Sequence, residues 1–278
     1  MLVIDNITDL RAAMREQGGR VGFVPTMGYL HAGHLALVER ARAGADLVVA
    51  SIYVNPAQFA PTEDLTTYPR DTEGDTRKLA EGGCDILFLP KNDEIYPEGY
   101  STYVTVGDVT ERYEGAFRPD HFRGVATIVA KLFNIVRPDI AVFGQKDAQQ
   151  VAVIRKMILD LNYPIELAVV ETVREPDGLA MSSRNVYLSP EERREALSIS
   201  RALRAARETI EGGRGVEEAM ERMRGTLSGE IRLDYADIID AGTFEVARDG
   251  DRTLLGIIAG RIGRTRLIDN MRLRGIDD

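Results

Sequence analysis

At 278 residues the chain is too long for one small core and fits one large domain or two modest ones. Its hydrophobic content of 44% is that of a packed globular protein, and a single cysteine, Cys84, excludes an internal disulfide and a cysteine-rich metal site while suiting a reducing cytoplasm. A net charge of -9 disfavours a large polyanion such as tRNA, and no uncharged run reaches the ~20 residues that span a bilayer, so neither nucleic acid nor membrane is an expected partner.

The opening stretch, Met1 to Gln17, reads as helical and lacks the basic flank and apolar run of a secretion signal. Val21–Val24 reads as a strand, followed by a turn and a helix from about Gly33 to Ala43. Leu47–Val54 is a continuous apolar run, the pattern of a parallel strand buried on both faces. A helix through Lys78 leads to a short strand at Asp85–Leu89; Cys84, just before it, reads as a small buried hydrophobe. Gly124–Val136 carries apolar residues at helical spacing, Ile140–Phe143 is a strand, Asp147–Leu161 a helix and Ile165–Val173 a strand. Strands alternating with helices predict an α/β fold with a Rossmann-like, doubly wound parallel sheet. The character then changes. Ser189, Pro190 and Glu192 form a helix-start signature for a helix running to about Glu211, and a second helix covers roughly Val216–Leu227. Two or three strands follow, near Asp234–Asp240, Leu254–Ala259 and Thr265–Ile268, so a smaller C-terminal α+β domain is expected. The boundary falls between Val173 and Ser189, giving domains of residues 1–175 and 176–278.

Four segments carry candidate chemistry. Pro25–His34 follows a predicted strand and opens a predicted helix, where backbone N–H groups and the helix dipole favour a phosphate. Gly28 and Gly33 permit close approach of a ligand, and His31 and His34 could donate to a phosphoryl group gaining charge in a transition state. The loop is neither a Walker loop nor a dinucleotide fingerprint. Ser51–Phe59 lies at a strand end and offers Gln58, an amide that both donates and accepts. Phe143–Gln150 repeats the strand-to-helix pattern. In it Lys146 can pair with phosphate, Asp147 could hold a ribose hydroxyl, and Gln150 stands at i+4 from Lys146, on the same face if the segment is helical. Met181–Asn185 supplies two hydroxyls and a guanidinium, suited to a phosphate clamp. Apart from the first, each segment alone reads by default as a solvated loop. All three histidines of the chain, His31, His34 and His121, fall at loop-to-helix junctions.

Taken together, Pro25–His34, Ser51–Phe59, Tyr68–Arg70, Arg118–Val125, Phe143–Gln150, Arg174–Asn185 and Gly263–Asn270 resemble the pantothenate synthetase family in order and spacing over essentially the whole chain. Single motifs would mark only the wider superfamily, which includes class I aminoacyl-tRNA synthetases and small nucleotidylyltransferases. The resemblance implies a ligase that converts pantoate and ATP to pantoyl adenylate and pyrophosphate, then transfers the pantoyl group to β-alanine with release of AMP. It implies ATP contacts at Met27, Gly28, Tyr29, Leu30, His31, Ala32, Gly33, His34, Gly144, Gln145, Lys146, Asp147, Val173, Met181, Ser182, Ser183 and Arg184. His34, His31, Lys146 and Arg184 are the catalytic candidates, with His34 matching the proton donor. Gln58 and Gln150 match pantoate-holding glutamines, and Gln58 also borders the β-alanine site. Magnesium is expected with ATP and held mainly by its phosphates, with no protein metal site. A cytoplasmic homodimer is expected, with the smaller domain as a lid. Two positions depart from the family: Gln145 stands where Glu is usual and Ala148 where Tyr is usual.

Overall fold

Six consecutive residues, Leu47–Ile52, are buried without exception. A strand hidden on both faces needs helices above and below it, and the first of the two units into which the chain divides supplies them. The computed structural model describes residues 1–61 and 63–275. Met1–Gly144 and Gln150–Glu171 form the first unit; Gln145–Gln149 and the chain from Thr172 onward form the second.

In chain order the first unit contains β1 (Leu2–Ile4), α1 (Ile7–Gln17), β2 (Val21–Thr26), α2 (Ala32–Gly44), β3 (Leu47–Ile52), α3 (Thr72–Glu81) and β4 (Ile86–Phe88). It continues with α4 (Asn92–Ile95), α5 (Glu114–Phe117), α6 (His121–Val136), β5 (Ile140–Gly144), α7 (Ala148–Asp160) and β6 (Glu166–Val170). The first two residues of α7 belong to the second unit. The strands form one parallel sheet in the order β1-β4-β3-β2-β5-β6. Alternation along the strands divides the core in two. Phe23, Val49, Ile86, Phe88, Ala141 and Phe143 pack with α6 and α7, whereas Val24, Val48, Ala50, Leu87 and Val142 pack with α2 and Leu79 of α3. The sheet is therefore doubly wound. Its order reverses between β2 and β5, the place where an open α/β sheet leaves a crevice beyond its strand ends.

The helical reading of Met1–Gln17 is corrected at its start. Leu2–Ile4 pairs with β4, and α1 begins only after Asn6, whose side chain accepts the Asp9 N–H at 2.9 Å. A three-residue edge strand is too short to show a period of two. The Leu47–Val54 run likewise stops as a strand at Ile52, and α6 begins at His121 rather than Gly124.

The second unit contains α8 (Pro190–Glu211), α9 (Val216–Thr226), β7 (Arg232–Asp240), β8 (Leu254–Ile262) and β9 (Thr265–Arg274). The three strands form an antiparallel sheet in sequence order. The start of α8 is reciprocal, as its sequence predicts: Glu192 N–H donates to Ser189 Oγ at 3.2 Å and Ser189 N–H to Glu192 Oε2 at 2.8 Å. Ala196, Ile199, Leu203, Ala206 and Ile210 bury one face of this helix in a core shared with Ile238, Leu254 and Ile258. Among the described residues no helix is long and apolar enough to cross a membrane.

Candidate active site

The Pro25–His34 segment leaves the carboxyl end of β2. Thr26 Oγ1 donates to the Ser51 carbonyl at 2.8 Å, tying the ends of β2 and β3 together. Two successive left-handed residues, Gly28 (φ 82°) and Tyr29 (φ 52°), then turn the chain. A side chain at Gly28 would press on Ile52 and Asp75, so glycine is required both for its φ and for space. Asp75, buried on α3, accepts the N–H groups of Tyr29 at 2.6 Å and Leu30 at 2.7 Å. Lys78, one turn further along α3, donates to the Leu30 carbonyl at 2.8 Å.

His31 caps α2, and its Nδ1 accepts the Gly33 N–H at 3.2 Å. His34 Nδ1 accepts the His31 N–H at 3.3 Å, and the two rings lie 4.2 Å apart. A ring nitrogen that accepts carries no proton, so both neutral imidazoles hold their proton on Nε2. This arrangement corrects one expectation. The N–H groups of Gly28, Tyr29, Leu30, His31, Gly33 and His34 are all engaged by Thr26, Asp75, His31 or His34. The loop therefore does not offer these amides to an anion, and its donor chemistry passes to the Nε2–H groups.

Gln58 closes a 3-10 turn, Pro56–Gln58, just beyond β3. Asn55 governs this turn with its full hydrogen-bonding capacity. Its Oδ1 accepts from Ala57 N–H at 3.3 Å and Tyr96 OH at 2.9 Å; its Nδ2 donates to Gln58 Oε1 and to the Gly124 carbonyl, both at 3.1 Å. With Oε1 so held, the Gln58 amide turns its Nε2 toward Met27 Sδ, 3.1 Å away. The turn is held from below by His121, whose Nδ1 lies 2.9 Å from the Gln58 carbonyl and whose Nε2 lies 3.1 Å from Arg118. A guanidinium can only donate, so Nε2 accepts and Nδ1–H donates to the carbonyl. Arg118 is gripped in turn by both oxygens of Glu63, at 2.7 and 2.9 Å. Burial and then the Arg118 charge push His121 down to about 4. Burial alone would raise Glu63, but hydrogen bonding and charge from Arg118 hold it below the usual carboxylate range. Gly124 packs directly on this turn: a Cβ there would lie 2.2 Å from the Ala57 carbonyl oxygen. Gly144 ends β5, and Gln150 is half-buried in the first turn of α7.

In the second unit Gln145–Asp147 is a 3-10 turn, and the α-helix begins only at Ala148. The expectation that Lys146 and Gln150 share a helical face is thereby corrected, because the i, i+4 relation needs one continuous α-helix. Asn270 on β9 clasps the turn: its Nδ2 donates to the carbonyls of Gln145 at 3.0 Å and Lys146 at 2.9 Å, and its Oδ1 accepts from Gln145 Nε2 at 3.2 Å. Lys146 Nζ lies 3.5 Å from Asp147 Oδ1. Next to Asn270, buried Asp269 receives both arms of Arg174 at 2.7 and 3.0 Å. The Val173 carbonyl accepts the Met181 N–H at 3.0 Å. Ser182 Oγ accepts the Arg184 N–H at 3.3 Å, opening the 3-10 turn Ser183–Tyr187, with Ser183 buried.

Sequence reasoning missed Asp75, Asn55, Asn270 and the Glu63–Arg118–His121 relay. Asn55-Pro56 is a readable turn signal, but nothing local points to Asp75 or Asn270.

Fold and site together define an α/β enzyme whose imidazole pair stands at the carboxyl end of a doubly wound parallel sheet. The pantoate-beta-alanine ligase family model matches residues 2–272. A pantothenate synthetase of Heliobacterium modesticaldum is 53% identical over 277 residues, covering 98% of this chain and 99% of the relative. The crystal structure of a pantothenate synthetase from Thermus thermophilus, 51% identical, superposes with a TM-score of 0.96 over 99% of this chain and 100% of the other. That of pantoate-beta-alanine ligase from Francisella tularensis, complexed with beta-gamma ATP and beta-alanine, is 33% identical with a TM-score of 0.81, covering 98% of each chain. The chain belongs to the pantoate–β-alanine ligase family.

Proposed function

We propose that this chain condenses pantoate with β-alanine, driven by ATP, through a pantoyl adenylate. The observation that carries the reading is the pair His31 and His34, each with Nδ1 committed to a backbone N–H and its proton on Nε2. A pantoate carboxylate oxygen attacks the α-phosphorus, the bond to the oxygen bridging to the β-phosphate breaks, and pyrophosphate leaves. Two fixed donors aimed at the α-phosphoryl oxygens stabilise the charge that grows there. The β-alanine amine then attacks the acyl carbon, the bond to AMP breaks and the amine loses a proton. His34 is the stronger candidate for proton donation, since the family's donor falls at its position.

In the first unit, Met27–His34 and Gly144 are assigned to the nucleotide, Gln58 and Gln150 to pantoate, and Gln58 also to β-alanine. In the second, Gln145, Lys146, Asp147, Val173, Met181, Ser182, Ser183 and Arg184 are assigned to the nucleotide, with Lys146 and Arg184 for the departing pyrophosphate. The beta-gamma ATP and beta-alanine named for the Francisella complex support these substrates. Among the described residues no group of three or more His, Cys, Asp or Glu could hold a metal ion. Magnesium is assigned to the nucleotide substrate, on its phosphate oxygens, as the family resemblance implies. The family resemblance also supports a homodimer and a cytoplasmic site of action.

The test is exchange of labelled pyrophosphate into ATP, dependent on pantoate, with β-alanine absent. Adenylation is reversible and needs no amine, so exchange is expected. Release of ADP and phosphate, or no exchange until β-alanine is added, would overturn the adenylate route.

A further inference from the structure

We propose that Asp75 is a positioning residue for the imidazole pair: its buried carboxylate fixes the backbone from which His31 and His34 project. The inference rests on the function proposed above for those two rings. Asp75 is 1% exposed, lies more than forty residues from the loop in sequence, and spends its two oxygens on successive N–H groups of Tyr29 and Leu30. Charge-assisted bonds this short are about twice as strong as neutral ones. They fall where the backbone needs help, since Tyr29 holds a left-handed φ that costs a non-glycine residue on the order of 1 kcal/mol.

Lys78 completes the clamp. From the same helix it takes the Leu30 carbonyl, and its ammonium stands 3.7 Å from Asp75 Oδ1, a counter-charge for the buried acid. Both polar groups of the Leu30 backbone are thus fastened to α3. The next N–H along, that of His31, is the donor that fixes His34 Nδ1. A rotation of the Leu30–His31 peptide would release the bond that orients the second ring. Asp75 also explains why a carboxylate sits beneath a loop assigned to an anion. It occupies amides that would otherwise bind phosphate in the ground state, leaving the two rings as the orienting donors.

The test compares Asp75→Asn with Asp71→Ala in the full chain. Asp71 caps the same helix through the Gly74 N–H at 3.0 Å and lies outside the loop, so its variant reports lost α3 stability alone. An asparagine at 75 keeps the shape but turns an NH2 group toward a backbone N–H. Pantoate-dependent exchange is expected to fall on the order of 10²-fold in Asp75→Asn, with the pantoate KM changed less than ~2-fold, as for a small misplacement of reacting groups. In ¹⁵N-histidine spectra the Nε2–H pattern of His31 and His34 should be lost while His121 is unchanged. Asp71→Ala should keep both the exchange rate and the ring pattern. Wild-type exchange and ring signals in Asp75→Asn, or equal losses in both variants, overturn the proposal. If Asp75→Asn does not fold, Lys78→Met replaces it; it must perturb the same two rings and spare His121, or the proposal falls. Absence of exchange in the wild type would count against the proposed function, while the ring spectra still decide the clamp.

Discussion

Histidine occurs three times in this chain, and the neighbours of each ring dictate its tautomer. His31 and His34 accept at Nδ1 and so carry their proton on Nε2; His121 accepts at Nε2 and carries its proton on Nδ1. Their chemical fates differ accordingly. Replacing His34 with alanine should lower kcat ~10²–10³-fold while leaving the KM for ATP nearly unchanged, because a donor directed at developing charge acts mainly in the transition state. A change confined to KM in steady-state assays would assign His34 to ground-state binding. His121 instead affects stability. Its folded-state pKa of about 4 lies below the ordinary 6.5, so the unfolded chain takes up the proton first as pH falls. Its contribution is complete above about 6.5 and is lost toward 4, on the order of 3 kcal/mol in all. Urea unfolding of wild type and His121→Gln across that range should show the steeper acid loss in the wild type; parallel curves would contradict it. The histidine positions were readable from sequence, but their tautomers were not, since these depend on partners such as Arg118 and the folded backbone.

At the scale of elements, the turn that carries Gln58 is shaped by α6. Gly124 brings that helix against the Ala57 carbonyl, and Asn55 donates to the Gly124 carbonyl. Gly124→Ala must push turn and helix apart, with an expected loss of roughly 1–3 kcal/mol from overpacking. The pantoate KM should rise while the KM for ATP changes little, because Gln58 moves with the turn. Unfolding curves and both KM values check this; an unaltered pantoate KM would detach Gln58 from the substrate. Elements with strong local signals were legible: α8 starts where Ser189, Pro190 and Glu192 say it does, and the all-apolar β3 announces burial. The 3-10 turns at Pro56–Gln58 and Gln145–Asp147 were not, because so short a segment carries no period. The second is held by Asn270, distant in sequence, and the first by Asn55 together with the contact of Asn55 with Gly124 of α6.

At the scale of the whole molecule, the change from alternating strands and helices to helices followed by strands is visible in the sequence. Less visible is the placement of Gln145–Gln149 in the second unit, where Asn270, more than a hundred residues further on, bonds its backbone. The path of the chain follows from that placement. It passes between units after residues 144, 149 and 171, three junctions where a simple tandem arrangement would have one. Neither unit is therefore a cassette that a single splice could transplant: a cut after residue 171 would strand Lys146 away from the strand that shapes its turn. Recombination between relatives should join productively where both partners carry the whole Gln145–Gln149 insertion together with its matching β9, and fail where crossover separates them.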